Sequence, residues 1–183
     1  MSASQNRWLI LFALLLGAGW IWLGRTPPGS TTTGGIPAPQ RGFLAPDFSL
    51  QDEKGETYRL ADLRGRPLLV NFWASWCGPC RAEMPALEKV SQRYREQGFL
   101  VLGVNATNQD DAKAASAFAQ QLGLSFPILF DQDGSASRLY QVRSLPSSFL
   151  IDADGVIQDV IIGGPMSEAL LEIRAQQILE ESR

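Results

Sequence analysis

The chain contains two uncharged, almost wholly apolar runs of six residues, with a helical pattern between them. The first run is Leu68–Trp73, and the second covers residues 99–104. From Gly78 to about residue 97, apolar side chains recur every three or four positions, and Gly98 then ends the pattern. A strand that is buried on both faces of a sheet has such a continuous apolar sequence. This region therefore predicts two inner strands of a sheet, joined by a helix.

Weaker patterns on both sides of this unit predict the rest of the architecture. The predicted elements are a short hairpin at residues 48–50 and 57–60, a helix at 110–122, a strand at 126–130, a short helix at 135–140, strands at 148–151 and 156–162, and a final helix from 166 to about 180. Asp154-Gly155 predicts a two-residue hairpin between the last two strands. The order of strands and helices predicts an α/β fold, in which helices cover both faces of a central mixed sheet.

The composition excludes several classes of site. The chain of 183 residues has no histidine and two cysteines. It therefore cannot build a Ser-His-Asp or Cys-His catalytic site, a histidine metal site or a framework of several disulfides. Sixteen basic and 19 acidic side chains give a net charge of −3, and the lysines form no run. We expect no metal, no cofactor other than a redox-active cysteine pair, and no nucleic-acid partner.

The amino-terminal region differs in composition from the rest of the chain. Seventeen uncharged residues, WLILFALLLGAGWIWLG, lie between Arg7 and Arg25. A helix of this length spans about 25 Å, close to the bilayer core of about 30 Å. We interpret residues 1–24 as an uncleaved membrane anchor in N-in, C-out orientation; the alternatives are a cleaved signal peptide and a soluble buried helix. Residues 25–42 are rich in Pro, Gly, Ser and Thr, which predicts a flexible tether to a domain at residues 43–183.

Both cysteines stand in the sequence Cys77-Gly78-Pro79-Cys80, between the first apolar run and the helix. Cys77 is expected at or near the helix N-cap, where unpaired backbone N–H groups and the helix dipole stabilise an anion. Lowering the pKa of a thiol from about 8.5 to about 7 requires roughly 2 kcal/mol of such stabilisation. Cys80, one turn further along, is expected to be more buried. The arrangement predicts thiol–disulfide exchange, in which Cys77 attacks and Cys80 resolves. The alternatives are a buried static disulfide, two inert core thiols and a metal-bound pair.

The segment around these cysteines, FWASWCGPCRAEMP at residues 72–85, resembles the active-site segment of the thioredoxin superfamily. More narrowly, it resembles the membrane-anchored, extracytoplasmic branch that includes the TlpA, ResA and CcmG/DsbE-type proteins. The sequences APDF at residues 45–48 and LPSSFLID at residues 145–152 resemble further segments of that branch. The resemblance extends from about residue 43 to residue 183. It implies a thioredoxin-like, three-layer fold with an amino-terminal hairpin and an insertion at about residues 105–126.

The resemblance also implies a substrate-binding surface around the cysteine pair. It assigns Leu145 and Pro146 to this surface, and we add Trp76, Gly78 and Pro79 as further candidate substrate-binding residues. Pro146 is expected to follow a cis peptide bond and to lie against the cysteine pair, while the backbone of Leu145 pairs with a bound substrate strand. Trp76 is expected to form an exposed apolar shoulder beside Cys77.

Two departures from the family pattern concern the proton acceptor for Cys80. Thioredoxins have a buried aspartate where this chain has Asn71, and some anchored relatives have a glutamate at the position of Asn108. Glu83, on the helix that carries the cysteines, is the remaining nearby carboxylate and the candidate acceptor. The alternative interpretation places Glu83 on a solvated helix face or in an ion pair with a basic neighbour.

The leading functional hypothesis is an extracytoplasmic thiol–disulfide oxidoreductase, with its catalytic domain in the periplasm or on the outer face of the cytoplasmic membrane. The resemblance implies reduction of exported protein disulfides, for example at the haem-binding cysteines of apocytochrome c, by a monomer that receives electrons from a transmembrane donor. A thiol peroxidase is one alternative, although Val70 and Ala74 stand where peroxiredoxins have Pro and Thr or Ser. A non-catalytic, tethered chaperone or binding domain is the other.

Overall fold

The computed structural model of the protein describes residues 36–182. Its strands are β1 (Ser49–Asp52), β2 (Thr57–Arg59), β3 (Leu68–Trp73), β4 (Leu100–Asn105), β5 (Ile128–Phe130), β6 (Ser147–Ile151) and β7 (Ile157–Ile162). Its α-helices are α1 (Gly78–Tyr94), α2 (Ala112–Gln121), α3 (Ser135–Leu139) and α4 (Glu168–Glu181). The predicted anchor at residues 1–24 and residues 25–35 of the predicted tether lie outside the described residues. Within residues 36–182, no helix is both long and apolar enough to span a bilayer.

The seven strands form one mixed sheet in the order β2-β1-β5-β4-β3-β6-β7. The pairs β3–β4 and β4–β5 are parallel, whereas β1–β2, β1–β5, β3–β6 and β6–β7 are antiparallel. Because β3 lies between β4 and β6, it is hydrogen-bonded along both edges, and helices cover both of its faces. This position explains its continuous apolar sequence. The predicted α/β class and the predicted mixed sheet are confirmed.

Two hydrophobic clusters cover the two faces of the sheet, because successive side chains of a strand point to opposite faces. On β3, Leu69 and Trp73 join the cluster that includes residues of α1, α2 and α4. Val70 and Phe72 join the opposite cluster, which includes Ala136 of α3. Each fully buried Leu, Val or Phe side chain contributes about 1.5–3 kcal/mol. The helices therefore form two outer layers around the sheet, which is the predicted three-layer arrangement.

The helix that carries the cysteines is shorter than predicted. α1 begins at Gly78, as predicted, but it ends at Tyr94, and Arg95–Gln97 form a 3-10 turn in place of a further α-helical turn. Gly98 then ends the helical region with a φ of 92°, a left-handed conformation that favours glycine. The start of α1, which positions the cysteines, is unaffected by this difference.

The connection between β6 and β7 also differs from the prediction. The N–H of Gly155 donates to the carbonyl of Asp152 at 3.0 Å, and the N–H of Asp152 donates to the carbonyl of Val156 at 3.0 Å. The loop therefore contains three residues rather than two, and its last residue, Gly155, has a φ of 86°. The Asp152 carboxylate also accepts a hydrogen bond from the N–H of Val156 at 2.8 Å, which fixes the longer loop.

The segment before β1 is hydrogen-bonded to the β6–β7 connection and to the start of β7. The N–H of Gly42 donates to the carbonyl of Ile157 at 2.8 Å, and the N–H of Ile157 donates to the carbonyl of Phe43 at 2.9 Å. The N–H of Ala45 donates to the carbonyl of Gly155 at 2.9 Å. Unpaired backbone groups on an edge strand need such partners. The last residue of the predicted tether, Gly42, is thus attached to the domain that we predicted to begin at residue 43.

Candidate active site

Cys77 is the N-cap residue of α1 and lies shortly after the end of β3. Its backbone is extended, with φ −77° and ψ 108°, and Pro79 follows in the first helical turn. The N–H of Cys80 donates to Cys77 Sγ at 3.2 Å. A backbone donor that points at this sulfur, together with the helix dipole, stabilises a thiolate at the N-cap. The local structure therefore favours Cys77 as the attacking sulfur.

The structure shows the oxidised form of the cysteine pair. The two sulfur atoms are bonded, and the two Cα atoms are 5.3 Å apart. Cys77 is 5% exposed and Cys80 is 0% exposed. Because thiol–disulfide exchange needs access to the attacked sulfur, an external thiol can reach Cys77 but not Cys80. The expected difference in burial is present, although Cys77 is more covered than a freely accessible thiol.

Glu83 follows Cys80 by one turn of α1, so the two side chains project from the same side of the helix. Its side chain is fully buried. Asn71 Nδ2 donates to Glu83 Oε1 at 2.8 Å, and the backbone N–H of Met166 donates to Glu83 Oε2 at 3.0 Å. Burial raises the pKa of Glu83 above its ordinary value, and these two hydrogen bonds oppose part of that increase. The interpretation of Glu83 as part of a solvated helix face is therefore wrong.

Asn71, on β3, connects this carboxyl group to β6. Its Nδ2 atom donates to Ser148 Oγ at 2.9 Å as well as to Glu83, and all three side chains are buried. An amide at position 71 can donate to the Glu83 carboxylate, whereas a second carboxylate there would repel it. At the position where this chain departs from the thioredoxin pattern, α1 thus places an acidic group beside the Asn71 amide, which donates to it.

The Leu145–Pro146 peptide bond is cis, as the resemblance implies. Pro146 is buried and Leu145 is partly buried, immediately before β6. The N–H of Gly163 donates to the carbonyl of Pro146 at 2.8 Å. A Cβ atom built on Gly164 would lie 2.8 Å from Pro146 Cγ and 2.8 Å from Glu83 Oε2. Pro146 and Glu83 therefore meet around Gly164, a contact that the sequence analysis did not predict.

Trp76, Gly78 and Pro79 are exposed next to Cys77. Trp76 is 60% exposed, and its indole Nε1 donates to the carbonyl of Gln109 at 2.9 Å. The polar edge of the ring is therefore bound to the protein, while much of its apolar surface faces solvent. This placement agrees with the exposed apolar surface beside Cys77 that we expected of Trp76.

Sequence reasoning missed Asp110, which binds the residue before Trp76. Asp110 Oδ2 accepts a hydrogen bond from the N–H of Ser75, and Oδ1 accepts one from Ser75 Oγ, both at 2.6 Å. Asn105 Nδ2 and the N–H of Asp111 also donate to this carboxylate, at 2.8 and 2.9 Å. Partial burial acts to raise the pKa of Asp110, but the hydrogen bonds, those from Ser75 above all, outweigh it and hold this pKa below its ordinary value. The consecutive aspartates in the sequence signalled only a helix start.

The redox group of the site is the disulfide itself, which takes up two electrons when it is reduced. Within residues 36–182, no three carboxylate or cysteine side chains are close enough together to hold a metal ion. The site brings together two sulfur atoms, the buried carboxyl group of Glu83 and the backbone around them.

Sequence comparisons match the chain to known proteins over this domain. The sequence profile of the AhpC/TSA family matches residues 42–160. The thioredoxin-like protein YneN of Bacillus subtilis is 40% identical over 159 residues, which are 86% of this chain and 91% of YneN. The thiol-disulfide oxidoreductase ResA of Geobacillus kaustophilus is 40% identical over 122 residues, which are 67% of this chain and 69% of ResA.

A structural comparison agrees with these matches. A secreted disulfide oxidoreductase of Mycobacterium tuberculosis, homologous to E. coli DsbE, superposes with a TM-score of 0.65 and 28% sequence identity. The superposition covers 71% of this chain and 95% of that protein. The predicted thioredoxin-like fold and the predicted resemblance to the ResA and DsbE proteins are confirmed.

Proposed function

This chain belongs to the AhpC/TSA family and is a thiol–disulfide oxidoreductase, and from this premise we propose that it reduces protein disulfides outside the cytoplasm. One observation carries the thiol chemistry. Cys77 is the N-cap of α1, and Cys80 is fully buried behind it. A cysteine pair with this asymmetry can present one sulfur to a partner and keep the other for resolution.

The proposed reaction moves two electrons from the reduced pair to a partner disulfide. The Cys77 thiolate attacks one partner sulfur; a mixed disulfide forms, the partner's own S–S bond breaks, and its second sulfur leaves as a thiolate that takes up a proton. Cys80 then loses its proton and attacks Cys77 Sγ. The mixed disulfide breaks, the partner's first sulfur leaves, and the Cys77–Cys80 disulfide seen in the structure forms.

We assign to Glu83 the uptake of the proton from Cys80. Both side chains are fully buried and project from the same side of α1, so an acceptor within the protein is better placed than bulk water. Burial raises the pKa of Glu83 and so brings it nearer to that of a thiol, which makes proton transfer between the two groups easier. Asn71 and Met166 hold the carboxylate in place by one hydrogen bond each.

The proposed substrate surface surrounds Cys77. Trp76, Gly78 and Pro79 are exposed next to it in the chain and can contact the residues that flank a partner cysteine. Leu145 is partly exposed just before β6, and we infer that its backbone pairs with an extended partner segment, as strands do when they add to a sheet. Pro146 is assigned to the same surface.

We further propose that the protein is a monomer, anchored in the membrane by residues 1–24, with its domain in the periplasm or on the outer face of the cytoplasmic membrane. The uncharged sequence of residues 8–24 and the secretion of the Mycobacterium tuberculosis relative support this location. In such a compartment the reducing electrons must come through the membrane from a transmembrane donor. Exported proteins with paired cysteines, such as apocytochrome c, are the proposed substrates.

The reduction potential of the Cys77–Cys80 couple tests the direction of the reaction. The full-length protein is equilibrated in thiol–disulfide buffers of known potential, and its free thiols are then alkylated and counted by mass spectrometry. We expect a potential at or below about −230 mV, in the range of reducing thioredoxins and glutaredoxins. A value near about −120 mV, typical of a strong protein oxidant, would overturn the reductive direction and leave thiol–disulfide exchange itself intact.

A further inference from the structure

The turn that follows β4 is hydrogen-bonded to the two residues before Cys77. The carbonyl of Gln109 accepts the indole N–H of Trp76 at 2.9 Å. The neighbouring carboxylate of Asp110 accepts both the N–H and the Oγ–H of Ser75, each at 2.6 Å. Consecutive residues of this turn therefore bind consecutive residues of the cysteine-bearing segment.

A second contact binds Ser75 from α1. Arg81 of α1 donates from Nη1 to the carbonyl of Ser75 at 3.1 Å, and its guanidinium carbon lies 4.2 Å from the centre of the Phe118 ring in α2. Ser75 is thus bound through its N–H, its hydroxyl and its carbonyl. A residue bound at all of its polar groups has little freedom to move, which restricts the position of Trp76 after it.

The site at position 110 requires a carboxylate. Oδ2 accepts from Ser75 N–H and from Asn105 Nδ2, while Oδ1 accepts from Ser75 Oγ and from the N–H of Asp111. Four donors match the roughly four lone-pair sites of a carboxylate. An amide in this place would direct its own N–H groups at a backbone donor. Helix capping does not explain Asp110, because Asp111 is the N-cap residue of α2.

We propose that Asp110 is a positioning residue that acts through Ser75 to hold Trp76 in place, and that Trp76 then favours partner disulfides with an apolar side chain beside the reacting cysteine. Trp76 is 60% exposed, with the polar edge of its ring bound to Gln109, so an apolar group is the suitable partner for its free surface. A side chain that is already held loses less conformational freedom on binding. The inference rests on the proposed role of Trp76 in substrate binding.

Two disulfide-bonded peptides of equal length test this inference, one with Leu and one with Gly beside the cystine. Steady-state kinetics are measured for the full-length wild type and for Trp76→Ala, Asp110→Ala and Asp111→Ala. We expect the wild type to prefer the leucine peptide by about fivefold in kcat/KM, mainly through KM, and Asp110→Ala to lower this preference below about twofold. The rate with a small hydrophilic disulfide that carries no apolar side chain should change by less than about twofold in Asp110→Ala, because this substrate has no group for Trp76 to bind.

Asp111→Ala is the matched control. The Asp111 carboxylate accepts the N–H of Ala114 at 2.8 Å and makes no hydrogen bond with Ser75, and the variant keeps the backbone N–H that donates to Asp110. We expect it to keep the full peptide preference. Hydrogen exchange of the Trp76 indole N–H should accelerate in Asp110→Ala and stay unchanged in Asp111→Ala.

The outcomes test two roles separately: that of Trp76 in substrate binding and that of Asp110 in positioning Trp76. A wild type that does not distinguish the peptides, or a Trp76→Ala variant that keeps the preference, overturns the substrate role of Trp76. Loss of the preference in Trp76→Ala but not in Asp110→Ala overturns the role of Asp110 alone.

If Asp110→Ala does not fold, Ser75→Ala replaces it. This variant removes only the hydroxyl donor and should lose about half of the preference; an unchanged preference and unchanged indole exchange overturn the inference.

Discussion

Glu83 is a buried carboxyl group that takes part in no salt bridge among residues 36–182, so its ionisation is costly. Burial raises its pKa, which means that the native state keeps this proton to a higher pH than the unfolded chain does. The stability that the bound proton contributes is complete below the ordinary glutamate pKa of about 4.3 and is lost as the pH rises through the native pKa.

We expect Glu83→Gln to slow the resolution step and leave the first attack unchanged. Removing a general base costs about 100-fold or more, so decay of the mixed disulfide between Cys77 and a peptide should slow by about that factor at neutral pH. Alkylation of Cys77 should change by less than about twofold. Rapid quenching followed by mass spectrometry measures both rates. Glu88→Gln, on the same helix, is the control and should resolve at the wild-type rate; equal resolution rates in all three proteins contradict the assignment.

The same variant has a second readout in unfolding experiments. As the pH rises above about 4.3, the free energy of unfolding of the oxidised wild type should fall relative to that of Glu83→Gln, by up to about 1.4 kcal/mol per pH unit. Urea unfolding at a series of pH values measures this difference. Glu96→Gln, at an exposed position, should follow the wild type. A constant difference between the wild type and Glu83→Gln would contradict the raised pKa.

At the scale of elements, the junction between β7 and α4 completes the site. Gly164 lies between Pro146 and Glu83, and the N–H of Met166 binds the Glu83 carboxylate at 3.0 Å. α1 and β3 could be predicted from sequence, because a helix start and a buried strand have local patterns. The contact between this junction and Glu83 could not be predicted from sequence, because nothing near Gly164 in the chain shows that a carboxylate from α1 will face it. The burial of Glu83 was missed for the same reason.

Gly164→Ala is expected to destabilise the protein by about 1–3 kcal/mol. The added Cβ atom would lie 2.8 Å from both Glu83 Oε2 and Pro146 Cγ, so at least one of these groups must move. Urea unfolding at neutral pH measures the loss. Gly78→Ala is the control, because a Cβ atom there meets no heavy atom within 4 Å. Equal stabilities of the two variants would show that the junction adapts without cost.

At the scale of the whole molecule, the mixed sheet and its two helical layers followed from the order of apolar runs and helical patterns. The strand order could not be predicted in this way, because pairing between distant strands depends on long-range contacts that leave no local sequence pattern. The attachment of the segment before β1 could not be predicted either. Pro- and Gly-rich composition predicts a flexible tether up to residue 42, yet the N–H of Gly42 binds the carbonyl of Ile157. Edge-strand pairing of this kind uses backbone groups and leaves little trace in composition.

Shortening the chain from its amino terminus tests this boundary. A chain that begins at residue 36 should keep the stability of the full domain, whereas one that begins at residue 46 loses the three hydrogen bonds made by Gly42, Phe43 and Ala45. At about 0.5–1.5 kcal/mol for each bond, the expected loss is about 2–4 kcal/mol. Urea unfolding of the two shortened chains measures it. Equal stabilities would mean that the edge of β7 does not need this segment.

The attachment of residues 42–45 lies at the opposite end of the sheet from the reactive sulfur. These residues join the sheet beside Ile157, which is in register with Ile151 and through it with Leu68, at the beginning of β3. Cys77 follows the opposite tip of β3, a strand about 20 Å long. Residues 42–45 therefore join the domain at the end of the sheet opposite to Cys77. The disulfide lies at the other end of β3, about the length of that strand away from the point where the segment before β1 enters the sheet.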